Sequence, residues 1–203
     1  MHGDVKVWDL SRWAEVCTYR GHDGRIEALA ISPDGRIVAS AHQPKEIAAR
    51  MRARRGPIPE IPVPIHVWDA SSGTELFKLA GHTIAINALA FSFDGKTVIS
   101  AAANAVQSWD VETGRRQREL DPREARAIFN ALTFSPNGKL RATAAGREIK
   151  LWDVLTDQEI VTLPRANLSE SDNSPIIALA WTSDGHRLRA GLRDGSIVEL
   201  RDE

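Results

Sequence analysis

Apolar and polar residues alternate along this 203-residue chain in short runs, each of which ends at a turn signal. Four runs stand out: Ala28-Leu29-Ala30-Ile31, Ala88-Leu89-Ala90-Phe91, Ala131-Leu132-Thr133-Phe134 and Ala178-Leu179-Ala180-Trp181. A period of two predicts strands half-buried in a sheet. Directly after them come Ser32-Pro33-Asp34-Gly35, Ser92-Phe93-Asp94-Gly95, Ser135-Pro136-Asn137-Gly138 and Thr182-Ser183-Asp184-Gly185. Asp-Gly and Asn-Gly tolerate the positive φ angles of tight hairpins, so each strand should fold back on a partner that follows the glycine.

A second pattern runs in phase with the first. Val7-Trp8-Asp9, Val67-Trp68-Asp69, Ser108-Trp109-Asp110 and Leu151-Trp152-Asp153 recur with tryptophan spacings of 60, 41 and 43 residues, and a degraded copy follows at Ile197 to Asp202. A period in the low forties is that of a four-stranded propeller blade. Gly21-His22 and Gly81-His82 precede the first two alternating runs. Together these residues resemble the WD-repeat family across essentially the whole chain. The resemblance implies an all-β chain of β-propeller blades, each with four antiparallel strands a to d, and about four to five blades. The units run from about 1–20 (partial) through 21–80, 81–120 and 121–163 to 164–203 (partial). Strand a is expected near 26–32, 86–92, 129–135 and 176–182, strand c ends at each Trp-Asp, and strand d fills 15–19, 75–80, 115–120 and 158–163, about 17 strands in all. WD propellers usually have seven or so blades, so the expectation is a segment of a larger ring completed by further blades or by a second copy.

In the family, the His of Gly-His, a Ser or Thr on strand b, an Asp in the b-c turn and the Trp on strand c form a buried hydrogen-bond network. Carried over, this implies His22, Ser40 and Trp68 in the first full unit and His82, Ser100 and Trp109 in the second. Neither unit has the turn Asp. The third keeps Thr143 and Trp152, while the fourth keeps only Asp194, with Leu200 at the Trp position. Such networks fix a blade rather than do chemistry. Of the six tryptophans, Trp181 replaces Phe91 and Phe134 and should be core, whereas Trp13 stands in a c-d turn where other units have Gly73 and Gly114.

The repeat leaves residues 43–64 unexplained. This insertion in the first b-c loop holds five of the ten prolines, and Lys45, Arg50, Arg52, Arg54 and Arg55 outweigh Glu46 and Glu60 by about three charges. A short helix over 45–55 followed by an extended Pro-rich arm is predicted. Elsewhere charge gives no direction, since 26 basic and 27 acidic residues leave a net charge of -1. Any electrostatic recognition is therefore local.

Chemistry is harder to find. The chain shows no GxSxG, HExxH, Walker or GxGxxG pattern, no Cys/His set with zinc-ligand spacing and a single cysteine, Cys17, so neither catalysis nor a cofactor or metal is expected. No apolar stretch reaches the roughly 18 residues of a membrane span, and the chain reads as soluble and cytoplasmic. The functional expectation is a protein-protein interaction scaffold that binds a protein partner on the end formed by the d-a and b-c loops. Glu27, Asn87, Asn130 and Ile177, read as the positions just before strand a, should face that partner near the channel mouth, beside the basic insertion. Two alternatives stand: nucleic-acid or anionic-surface binding through Lys45, Arg50, Arg52, Arg54 and Arg55, and service as the sensor or scaffold region of a longer enzyme.

Overall fold

In the computed structural model, which describes residues 3–53, 61–102, 105–120, 129–146, 148–164 and 174–201, the strands follow one another as antiparallel meanders. β1 (Gly3–Asp9) and β2 (Ala14–His22) form a two-stranded sheet. Then come three four-stranded blades. The first holds β3 (Arg25–Ile31), β4 (Ile37–Gln43), β5 (Val63–Asp69) and β6 (Glu75–His82). The second holds β7 (Ile86–Phe91), β8 (Thr97–Ala102), β9 (Val106–Asp110) and β10 (Arg116–Leu120). The third holds β11 (Phe129–Phe134), β12 (Leu140–Ala145), β13 (Glu148–Asp153) and β14 (Glu159–Pro164). A three-stranded sheet of β15 (Ile176–Trp181), β16 (Arg187–Leu192) and β17 (Ile197–Arg201) ends the series. These seventeen strands lie within a residue or three of the positions that the alternation and the Trp-Asp pairs predict.

The turn residues explain why the period holds. Ser32 Oγ donates to Asp34 Oδ1 at 2.6 Å, the Arg36 amide donates to the same oxygen at 3.0 Å, and the Ile37 amide donates to Ser32 Oγ at 2.9 Å. Ser92 with Asp94 and Ser135 with Asn137 repeat this arrangement. The Asp of each Trp-Asp has a separate task at the c-d turn. Asp69 Oδ1 accepts from the amides of Ser71 and Ser72, Asp110 Oδ1 from that of Thr113, and Asp153 Oδ1 from that of Thr156. Hydrogen bonds from Ser71 and Ser72 hold the Asp69 carboxyl down to about 2.

The inner strands stand side by side, β3 by β7, β7 by β11 and β11 by β15, and apolar side chains from facing blades fill the space between them. Among the described residues no comparable packing returns from β15 to β1 or β3, so the blades form an open fan. Trp68, Trp109 and Trp152 are buried in it. Trp8, at the same place on β1, is 52% exposed; its sheet holds only two strands among the described residues, with no strand b there for the indole to pack against. Trp181 is half-buried and packs against Leu188, with its indole nitrogen buried and without a partner among the described residues. Trp13 sits in the β1-β2 turn at φ 52°, 80% exposed, where Gly73 and Gly114 adopt φ 71° and 67°.

The insertion is shorter than its sequence suggests. β4 runs to Gln43 and β5 already begins at Val63, so Pro64 lies in a strand and the expected extended arm stops short of it. α1 (Lys45–Ala53) forms where the helix is predicted, and its Ile47 joins the core of the first full blade, with Ile61 packed against the same cluster at the other end. Arg54, Arg55 and the rest of the arm through Glu60 lie outside the described residues. No described helix is long and apolar enough to cross a membrane.

Candidate functional site

Each inner strand carries one residue more than the strand it pairs with. Ile26 faces His42 and Ala28 faces Ala41, which leaves Glu27 as the extra residue. The same step leaves out Asn87 between Ile86 and Ala88, Asn130 between Phe129 and Ala131, and Ile177 between Ile176 and Ala178. A bulge of this kind takes one residue out of the ladder and re-aims its side chain. Glu27, Asn87 and Asn130 are half-buried, and Ile177 is 46% exposed. Arg25 pairs with Glu27 at 3.4 Å. Lys45 is exposed at the start of α1, and Arg50 and Arg52 follow on the same helix. Because His42 pairs with Ile26, the foot of the insertion adjoins the Glu27 bulge.

The hydrogen-bond networks form where the sequence pairs their members. Trp68 Nε1 donates to Ser40 Oγ at 2.9 Å, and His22 Nε2 meets that hydroxyl at 2.7 Å. In the next blade Trp109 Nε1 donates to Ser100 Oγ at 2.9 Å and His82 Nε2 meets it at 2.7 Å. Trp152 Nε1 donates to Thr143 Oγ1 at 2.9 Å. Asp194 takes a different part, accepting from the amide and hydroxyl of Ser196 in the β16-β17 turn. The Gly-His pairs also acquire a reason. A Cβ on Gly81 would stand 2.6 Å from Gln107 Oε1 and 2.8 Å from the Trp109 ring, so the chain can pass there only as glycine.

The turn Asp that the first full blade lacks is replaced by something unexpected. His22 Nδ1 faces His42 Nδ1 at 2.8 Å, and a third imidazole, His66, packs edge-on against His22 with ring centroids 4.5 Å apart. One ring nitrogen from each of the three lies within 4.8 Å of the other two, and all three side chains are buried. Their outward nitrogens are tied down. His42 Nε2 meets Asp23 Oδ1 at 2.8 Å, and His66 Nδ1 meets Glu75 Oε2 at 2.8 Å and the Tyr19 hydroxyl at 2.7 Å. Tyr19 in turn donates to Glu75.

Burial favours the neutral form of His22 and of His66. Burial first, then His66 and His42, push His22 down to about 3, and burial also lowers His66 against the opposing pull of Glu75. Burial works against the charge of Glu75, but hydrogen bonds from Tyr19 and His66 outweigh it and hold the carboxyl below its ordinary range. The Tyr19 phenol is raised, by burial and by its bond to Glu75.

The family model described as "WD domain, G-beta repeat" matches residues 13–43, 73–110 and 118–153, together more than half of the chain. The chain belongs to the WD40 family. It is 25% identical over 193 residues to the small ribosomal subunit protein RACK1 of Caenorhabditis elegans, a match covering 95% of this chain and 42% of that protein. The Centriole proteome protein 16 of Chlamydomonas reinhardtii is 36% identical over 130 residues, 52% of this chain and 6% of its own length. The Cross-pathway control WD-repeat protein 2 of Flammulina velutipes is 30% identical over 118 residues, 58% of this chain and 31% of its own. This WD40 chain thus spans less than half the length of each of these relatives.

Two residues of the WD40 site escape a motif search, His42 and His66. They lie on either side of the insertion and 20 and 44 residues from His22, so no ligand spacing joins them. Strand parity does offer a signal. His42 is two residues after Ser40 and His66 two before Trp68, which puts all four on one face of the blade.

Proposed function

We propose that this WD40 chain is a non-catalytic, cytoplasmic protein-interaction module, and that its partner, a protein, docks on the end of the propeller where Glu27, Asn87, Asn130 and Ile177 emerge. The observation that carries the reading is the repeated bulge, which frees one side chain per blade at equivalent positions of four neighbouring inner strands. Blades themselves are nearly alike in shape, so specificity has to come from such grafted positions. The insertion adds an exposed Lys45 and a helix anchored by Ile47 next to the Glu27 bulge. A relative named as a small ribosomal subunit protein is in keeping with work inside an assembly.

The test is affinity capture with the full chain as bait, alongside a variant carrying Glu27→Lys, Asn87→Ala, Asn130→Ala and Ile177→Ala, and another with Lys45, Arg50, Arg52, Arg54 and Arg55 changed to Ser. The bulge variant should fold normally and lose the protein partners that the wild type holds. Equal capture by both overturns the reading. A partner that disappears with nuclease, is lost in the Ser variant, and weakens about tenfold or more between about 50 and 200 mM salt would assign the surface to nucleic acid instead.

A further inference from the structure

We propose that His22, His42 and His66 form a site for one borderline divalent transition-metal cation of the zinc type, clamped at the foot of the insertion. The site requires no partner, and strand geometry assembles it. His66 on β5 pairs with Ser40 on β4, and His42 is two residues further along β4, so both imidazoles stand on one face of the blade. His22, at the end of β2, brings the third from the neighbouring sheet.

The nitrogens are close to ligand spacing. Tetrahedral zinc at about 2.0–2.1 Å from each nitrogen sets them about 3.3 Å apart. His22 Nδ1 and His42 Nδ1, at 2.8 Å, need open only slightly, and all three lie within 4.8 Å. Purely imidazole donors favour zinc, copper or nickel over magnesium or calcium. A water completes the fourth position.

The outer contacts have the form that holds metal-binding histidines in one tautomer. Asp23 accepts the proton of His42 Nε2 and Glu75 that of His66 Nδ1, which leaves His42 Nδ1 and His66 Nε2 as bare lone pairs. Among the described residues His66 Nε2 is buried without a hydrogen-bond partner, a cost that a cation would remove. Without metal, His22 Nδ1–H donates to His42 Nδ1. With metal, that proton moves to Nε2 and is donated to Ser40 Oγ, so His22 stays neutral and no proton is gained or lost. The next blade shows that the ordinary network needs none of this, since His82, Ser100 and Trp109 assemble there without a second or third imidazole among the described residues. A cation held by His42 and His66 would pin both feet of the insertion to the His22 turn.

Chelator-stripped full-length chain is titrated with zinc(II) against a chromophoric competitor, and with cobalt(II) followed by visible absorption. One equivalent should bind, cobalt should show the intense bands of a tetrahedral site and be displaced by zinc, and the melting temperature should rise with zinc. His66→Gln and His42→Gln should each weaken binding by about a hundredfold or more, and Asp23→Asn by about 10–100-fold, while His82→Gln leaves it unchanged. X-ray absorption on the zinc-loaded wild type counts imidazoles without relying on any variant, and three are expected. Failure of the wild type to take up one equivalent, fewer than three imidazoles, undiminished binding by His66→Gln, or an equal loss in His82→Gln overturns the proposal.

Discussion

Tyr19 lies flat on Trp68, their ring centroids 4.9 Å apart and their planes within 7° of parallel. One ring belongs to β2 and the other to β5, so the stack joins the two-stranded sheet to the first full blade. Cys17 adds a lesser tie, its Sγ reaching the Ala70 carbonyl at 3.1 Å. Tyr19→Ala should lower stability by about 3–5 kcal/mol, since a buried ring and its contacts are lost together. Tyr19→Phe keeps the stack and loses only the bonds to Glu75 and His66, at about 1–2 kcal/mol. Urea titrations of the two variants should separate accordingly, and similar midpoints would show that the hydroxyl rather than the stack joins the sheets.

The tryptophans divide by backbone as well as by burial. Trp109→Ala and Trp152→Ala each empty a packed site and abandon the bond to Ser100 or Thr143, and should cost about 3–5 kcal/mol. Trp13→Gly should act in the opposite direction. The side chain is exposed and its φ of 52° lies in the left-handed region, which costs a non-glycine residue about 1–2 kcal/mol. Thermal unfolding should shift upward by roughly 2–4 °C per kcal/mol recovered. A fall on replacing Trp13 would mean that its indole packs on something that contributes to the fold.

Acid should weaken the second full blade before carboxylates are involved. Burial, and then the charge of Arg116, lower the His82 imidazole to about 4 from an ordinary value of 6.5. The unfolded chain therefore takes a proton near 6.5 that the folded chain refuses until about 4. Stability from this group is complete above the higher value and is lost as pH falls through the window to the lower one, by about 3 kcal/mol. Denaturation midpoints at about pH 7 and about pH 4.5 should fall less steeply in His82→Gln than in the wild type. Parallel slopes would show that another group carries the acid sensitivity.

The strands were legible because two independent periodicities, alternation and turn chemistry, agree in phase. Ser32 with Asp34 and Asp69 with Ser71 are local pairs whose bonds follow from sequence neighbours. The links among His22, Ser40 and Trp68 came instead from resemblance, and they formed. His42 and His66 were not legible as a pair, because the insertion separates them and only the register that sets Ser40 opposite His66 brings them together. The bulges at Glu27 and its equivalents were hidden for a similar reason. A skipped residue is a property of two paired strands, and neither strand announces it alone.

Those bulges have a consequence for how such a chain diversifies. Glu27, Asn87, Asn130 and Ile177 are an acid, two amides and a branched hydrocarbon, yet the strand pairing around them repeats from blade to blade. Each stands outside the ladder, so its replacement leaves the neighbouring backbone bonds intact. Inherited variation can therefore rewrite the rim one blade at a time while the architecture beneath passes on unaltered, and a duplicated blade arrives with its own blank position ready to acquire a new preference.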